Sequence, residues 1–90
     1  MDKKLKAKWI AALRSGRFKQ HRNQLTGDAP GAYCCLGVLS RLLNPRTRKS
    51  LLDYPPYEVL SKQDQFRLAG LNDDHGYDFK QIATYVKQHC

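Results

Sequence analysis

The sequence predicts an α+β fold: three or four helices packed on a small β-hairpin, with the central helix directly after a Cys-Cys pair. Three observations carry this. Apolar residues recur at helical spacing near both ends of the chain and after Cys35. A turn-rich segment, Thr26-Gly27-Asp28-Ala29-Pro30-Gly31, separates two runs compatible with extended backbone. Helix-start residues stand at Asp2, Ser61 and Asp78. Ninety residues make one domain, 1–90, with a single modest core.

The first helix runs from about Lys3 to Ser15. Asp2 caps it, and Leu5, Trp9, Ala12 and Leu13 form one apolar stripe widened by Ile10. Gly16 supplies the left-handed stop. Arg17–Leu25 is polar and lacks a helical stripe. It is expected to pair with Ala32–Cys34 as a hairpin across the Thr26–Gly31 turn. Strand alternation then places Arg17, Lys19 and His21 on one face, with Phe18, Gln20 and Arg22 on the other.

Cys35–Leu43 is the most apolar stretch. Leu36, Leu39 and Leu43 mark its buried face, and Val38 and Leu42 broaden it. Gly37 inside this helix costs about 1 kcal/mol relative to Ala, so its presence points to close packing by another element. Asn44-Pro45 ends the helix. Pro56 is placed to open a short helix through Leu60. Ser61-Lys-Gln-Asp64 starts another, for which Gly70 is the expected stop. Asp78-Phe-Lys-Gln81 opens the last, with Phe79, Ile82, Ala83 and Val86 on its apolar face.

The charge is asymmetric. Residues 1–50 hold twelve Lys or Arg and two acids, whereas residues 51–90 carry a slight negative excess. A domain with its positive charge in one half attracts anions. Arg14, Arg17, Lys19, His21 and Arg22 cluster across the first helix end and the hairpin, and Arg46, Arg48 and Lys49 cluster after the central helix. Arg14, Arg17, Lys19, Arg22, Arg46 and Arg48 are the expected ligand-binding residues, because guanidinium forks suit phosphate. Phe18 and Tyr33 stand close enough in the hairpin to stack on a base. The bland reading of the same charges is a solvated, solubilising face.

No apolar run approaches the roughly 18 residues of a membrane span, so no membrane partner is expected. The basic N-terminus has no apolar signal core behind it. Cys34, Cys35 and Cys90 are an odd count with one adjacent pair, which suits a reducing cytosol.

Other constellations are weaker. Cys34 or Cys35 at a helix start is a candidate thiolate nucleophile, with His21, His75 and His89 as the only histidine bases. The competing reading is two small buried hydrophobes, and no catalytic residue is assigned. Zinc needs two short-spaced ligand motifs, and Cys34-Cys35 has no spacer. Asn72–Asp78 is rich in oxygen but lacks the set intervals and late Glu of a calcium loop. Capping and turn formation account for it. Neither a metal nor a cofactor is expected. Phe79–Val86 resembles the first helix of a helix-turn-helix, but only four residues follow it here.

Several segments, taken in order, resemble a family of small bacteriophage and prophage proteins. They are Trp9-x-x-Ala12-Leu13-Arg14-Ser15-Gly16, Phe18-Lys19-Gln20, Tyr33-Cys34-Cys35-Leu36-Gly37-Val38-Leu39, Leu71-Asn72-Asp73-Asp74 and Phe79-x-x-Ile82-Ala83-x-x-Val86. Cys-Cys-Leu-Gly-Val is the most specific piece. The resemblance implies an accessory factor acting on host processes, including defence systems, and implies no mechanism. The family pattern carries a Gly-rich or acidic loop where this chain has His75-Gly76, which speaks against catalysis by His75. By the same resemblance, Asn72-Asp73 and Cys34-Cys35 are fold determinants at least as much as a site.

Three functions are therefore expected in order. The first is a non-enzymatic counter-defence or host-takeover factor in the host cytosol, binding nucleic acid or a nucleotide through the basic half. The second is an inhibitor docking on an acidic host-protein surface, with Tyr54 and Tyr57 as anchors. The third is a thiol-dependent enzyme. Oligomeric state stays open.

Overall fold

A computed structural model covers residues 1–90 and gives four helices and a minimal sheet, an α+β arrangement. The elements in order are α1 (Lys3–Arg14), β1 (Lys19–Gln20), β2 (Ala32–Tyr33), α2 (Cys35–Leu43), α3 (Lys62–Asp73) and α4 (Phe79–His89). A short 3₁₀ turn, Lys49–Leu51, lies between α2 and α3.

The capping chemistry fixes the helix starts. The Asp2 carboxylate accepts from the Leu5 N–H at 2.8 Å, and Ser61 Oγ accepts from Asp64 at 3.2 Å. Asp78 and Gln81 form a reciprocal capping box, each side chain accepting from the other's N–H. Gly16 closes α1 at φ +77°. The stripes meet in one core. Trp9, Leu36, Val38, Leu39, Leu68, Ile82 and Val86 are fully buried. Helix α1 packs mainly on α4, and α2 fills the space between α1 and α3. Trp9 satisfies its indole N–H by donating to the Cys35 carbonyl at 2.9 Å, so the largest side chain is buried without a polar cost. No helix is long and apolar enough to cross a membrane.

The hairpin differs from the expected one. β1 and β2 are parallel, with Lys19 opposite Ala32 and Gln20 opposite Tyr33. The antiparallel pairing is made instead by Leu25–Gly27. Gly27 N–H donates to the Ala32 carbonyl, and Cys34 N–H donates to Leu25. Residues 32–34 therefore form a short central strand, with residues 19–21 on one edge and 25–27 on the other. Arg17–Leu25 is not one strand because it reverses at Asn23, which sits at φ +71°. A tertiary interaction holds that reversal: Asn23 N–H donates to the Asp73 carboxylate at 2.8 Å.

Two smaller expectations also change. Gly70 does not stop α3, which continues to Asp73 and is followed by the left-handed Gly76. The extra turn exists because Asn72 is anchored in the core. Pro56 opens a single hydrogen-bonded turn, accepting from Val59 and Leu60, rather than a helix.

Candidate anion-binding surface

Arg17 leaves α1 with its guanidinium carbon 5.6 Å from the centre of the Phe18 ring. Phe18 meets Tyr33 edge to face at a centroid distance of 5.5 Å. On Tyr33 sit two further cations, with Arg41 at 5.7 Å and Lys49 at 5.4 Å from the ring centre. Arg41 Nε also donates to the Tyr33 hydroxyl at 3.1 Å. Lys49 reaches across to donate to the Ala29 carbonyl at 2.6 Å. Lys19 N–H donates to the Gly31 carbonyl at 2.8 Å. The turn Ala29–Gly31 is thus flanked by Arg17 and Lys19 on one side and by the 46–49 segment on the other.

This brings the two basic clusters of the sequence together through the turn and the Phe18–Tyr33 pair. Arg14, Arg17, Lys19, Arg46 and Arg48 are all exposed. Arg22 is not part of this surface. Its guanidinium turns inward and donates to the carbonyls of Asn72 and Tyr77, so it holds the chain reversal to the end of α3. Nor is Tyr33 free to stack on a base, since only 6% of it is exposed and its ring is packed by Phe18, Arg41 and Lys49.

Arg41 is the residue that sequence reasoning misses. Its Nη1 donates to the carbonyls of Asn44, Pro45 and Thr47. It shapes the loop that presents Arg46 and Arg48, and it ties that loop to Tyr33. The signal in the sequence is its place in the last turn of α2, next to an Asn-Pro break. A cation there can collect the carbonyls that the helix end leaves free.

Asn72 is fully buried and joins segments far apart in sequence. Its side-chain oxygen accepts from Gln20 at 2.9 Å and from Cys35 N–H at 3.3 Å. Its amide donates to the His21 carbonyl at 2.9 Å and to Asp73 at 2.7 Å. This node sets the height of β1 against the start of α2.

Both thiols of the Cys-Cys pair are buried. Cys34 Sγ caps α2 by accepting from Gly37 N–H at 3.4 Å. Cys35 Sγ points at the Leu68 carbonyl at 3.7 Å. Burial pushes the Cys34 thiol up and the Cys35 thiol well up, outweighing the helix-start hydrogen bonds that lower them. These are features of neutral packed thiols, not of an activated thiolate. His21 packs against Gly27: a β-carbon built at Gly27 would lie 2.5 Å from the imidazole Nδ1.

A second surface feature lies away from this charge, between α3 and the 54–57 segment. It is an open groove of about 260 Å³ lined by Leu36, Tyr54, Tyr57, Lys62 and Phe66, among others. Tyr54, Tyr57 and Phe66 are 58%, 60% and 69% exposed.

No curated protein and no solved structure matches this chain. The match that exists is to a family model described as "Domain of unknown function (DUF8296)". It spans residues 1–56, which hold α1, the sheet, α2 and the basic loop. The chain belongs to that family.

Proposed function

We propose that this chain is a small non-enzymatic accessory protein of the bacteriophage type, a counter-defence or host-takeover factor of the host cytosol. It binds an anionic ligand, nucleic acid or a nucleotide, through its basic N-terminal half. One observation carries the reading. Arg17 and Lys19 flank the Ala29–Gly31 turn together with the Arg46–Lys49 segment, although about 30 residues separate them in the chain. A solubilising charge distribution has no need of such convergence, whereas a phosphate-binding surface does.

The supporting detail is Arg41. Its guanidinium shapes the loop and leaves Arg46 and Arg48 exposed beside it. Phosphate binding of this kind releases counterions, so affinity falls steeply with salt.

The experiment is a binding panel of duplex DNA, single-stranded DNA, RNA and mononucleotides at two salt concentrations. Tight binding at low salt that weakens steeply at high salt supports the reading. Failure to bind any of them at low salt overturns it and leaves the second reading, an acidic protein surface met by the same cations.

A further inference from the structure

We infer that the groove between α3 and the 54–57 segment receives unpaired nucleobases, which makes the ligand of this protein a single-stranded nucleic acid. This rests on the polyanion-binding reading above and narrows it.

The rim of the groove is aromatic. Tyr54, Tyr57 and Phe66 each leave more than half of their surface in water. In a chain with so small a core, three such rings around one depression are unusual surface. The floor is apolar, built from Leu36 of α2 and Ala69 of α3. Flat, exposed rings above an apolar floor suit stacking, which every base can supply through its π-face.

The charge of the groove agrees. The one ionisable cation or acid among its lining residues is Lys62, whose ammonium lies 5.9 Å from the centre of the Phe66 ring. A base entering between the rings brings a phosphate with it, and Lys62 is placed to meet that phosphate. Asp53 and Glu58 neighbour the two tyrosines in sequence and repel phosphate there. A strand is therefore drawn towards Lys62 and towards the basic loop.

The groove also adjoins the proposed phosphate surface along the chain. Lys49 and Tyr54 are five residues apart, a span of at most about 17 Å. Ser40 holds the intervening backbone by donating to the Asp53 carbonyl. On the other wall, Gln65 is buried and donates to the carbonyls of Pro55 and Leu60 at 2.6 and 3.0 Å. The 54–57 segment is thus fixed on α3 before any ligand arrives, and little ordering is left to oppose binding. A single strand uses the cations and the rings together. A duplex, with its bases stacked inside, uses only the cations.

The test compares three labelled probes of about 12 nucleotides, a length in the range that small single-strand binders cover. They are oligothymidylate, an abasic strand of the same length and a duplex. Fluorescence anisotropy at low salt reads the affinities for the native chain and for Tyr57→Ala/Phe66→Ala. The native chain is expected to bind oligothymidylate roughly ten-fold more tightly than the abasic strand, from base stacking. The variant is expected to bind both alike, at the abasic level. Phe66→Ala alone, at a side chain mostly in water, keeps the fold and is expected to lose part of the preference.

Equal binding of thymidylate and abasic strand by the native chain overturns the inference while leaving polyanion binding intact. So does a preference that survives in the variant. Displacement of a bound acidic peptide by the groove substitutions, with no change towards thymidylate, overturns it in favour of a protein partner. If no strand binds at low salt, the polyanion reading falls and the inference falls with it.

Discussion

Gly37 in α2 faces the carbonyl oxygen of Leu25 so closely that a β-carbon at position 37 would lie 2.1 Å from it. Leu25 is held there because its carbonyl accepts from Cys34 N–H at 3.0 Å. The helix-propensity cost of this glycine is offset by the packing it permits, with the outer strand of the sheet lying directly on α2.

The first prediction follows from that close approach. Gly37→Ala should destabilise although alanine is the better helix former, because a backbone carbonyl cannot move aside as a side-chain end can. Overpacking of about 1–3 kcal/mol is expected, with Gly37→Leu costing more. In a domain of this size that lowers the thermal midpoint by roughly 4–8 °C per kcal/mol. An unchanged midpoint for Gly37→Ala would show that the strand gives way freely.

A second prediction concerns Asn72. Asn72→Ala removes the partner of Gln20, Cys35 N–H and the His21 carbonyl at once. A buried polar group left unpaired costs about 1–3 kcal/mol, so a loss near 3 kcal/mol or more is expected in chemical denaturation. Asn72→Asp should not rescue it, since the new carboxylate lacks the donor to His21 and faces Asp73. Full stability of Asn72→Ala would mean that water replaces the node without penalty.

The charges divide into two groups by position. Arg17 and Arg48 lie in the two segments that flank the Ala29–Gly31 turn, whereas Lys3 and Lys4 stand at the far start of α1. Arg17→Ala/Arg48→Ala should weaken oligonucleotide binding roughly ten-fold more than Lys3→Ala/Lys4→Ala. It should also reduce the salt slope by about one for each phosphate that is no longer neutralised. Circular dichroism should be unaltered, because both arginines are exposed. Equal effects of the two double substitutions would reduce the surface to a diffuse field. Arg22→Ala is expected to behave differently from both and to destabilise the fold, since its guanidinium serves the Asn72 and Tyr77 carbonyls.

The thiols give a pH prediction. Burial holds the folded Cys34 and Cys35 thiols above their ordinary value of 9.0. Above about pH 9 the unfolded chain therefore releases protons that the folded chain keeps. Fewer protons bound in the unfolded state mean stability that falls as pH rises. The thermal midpoint should drop on going from about pH 8 to about pH 10, and Cys35→Ala should flatten that drop. At neutral pH, iodoacetamide should spare Cys34 and Cys35 in the folded chain. Rapid alkylation of either would revive the thiol-enzyme reading.

The helices were legible in the sequence because their causes are local. Asp2, Ser61 and Asp78 cap within three residues of themselves, and the stripe of Trp9, Ala12 and Leu13 repeats within one turn. Gly37 was legible as a point of close packing for the same reason, since a glycine in an apolar helix needs a cause. What it touches was not legible. Only the tertiary structure decides that Leu25 lies on it and that β1 runs parallel to β2. The chain reverses at Asn23 because Asp73, fifty residues later, takes its N–H. Long-range hydrogen bonds of this kind leave no periodicity behind. The same holds for the surface. Composition placed the positive charge in the first half, a sum that needs no coordinates. Which cations face outward depends on partners the local sequence does not name. Arg22 is taken up by the carbonyls of Asn72 and Tyr77 and Arg41 by its own loop, while Arg17, Arg46 and Arg48 are left in water.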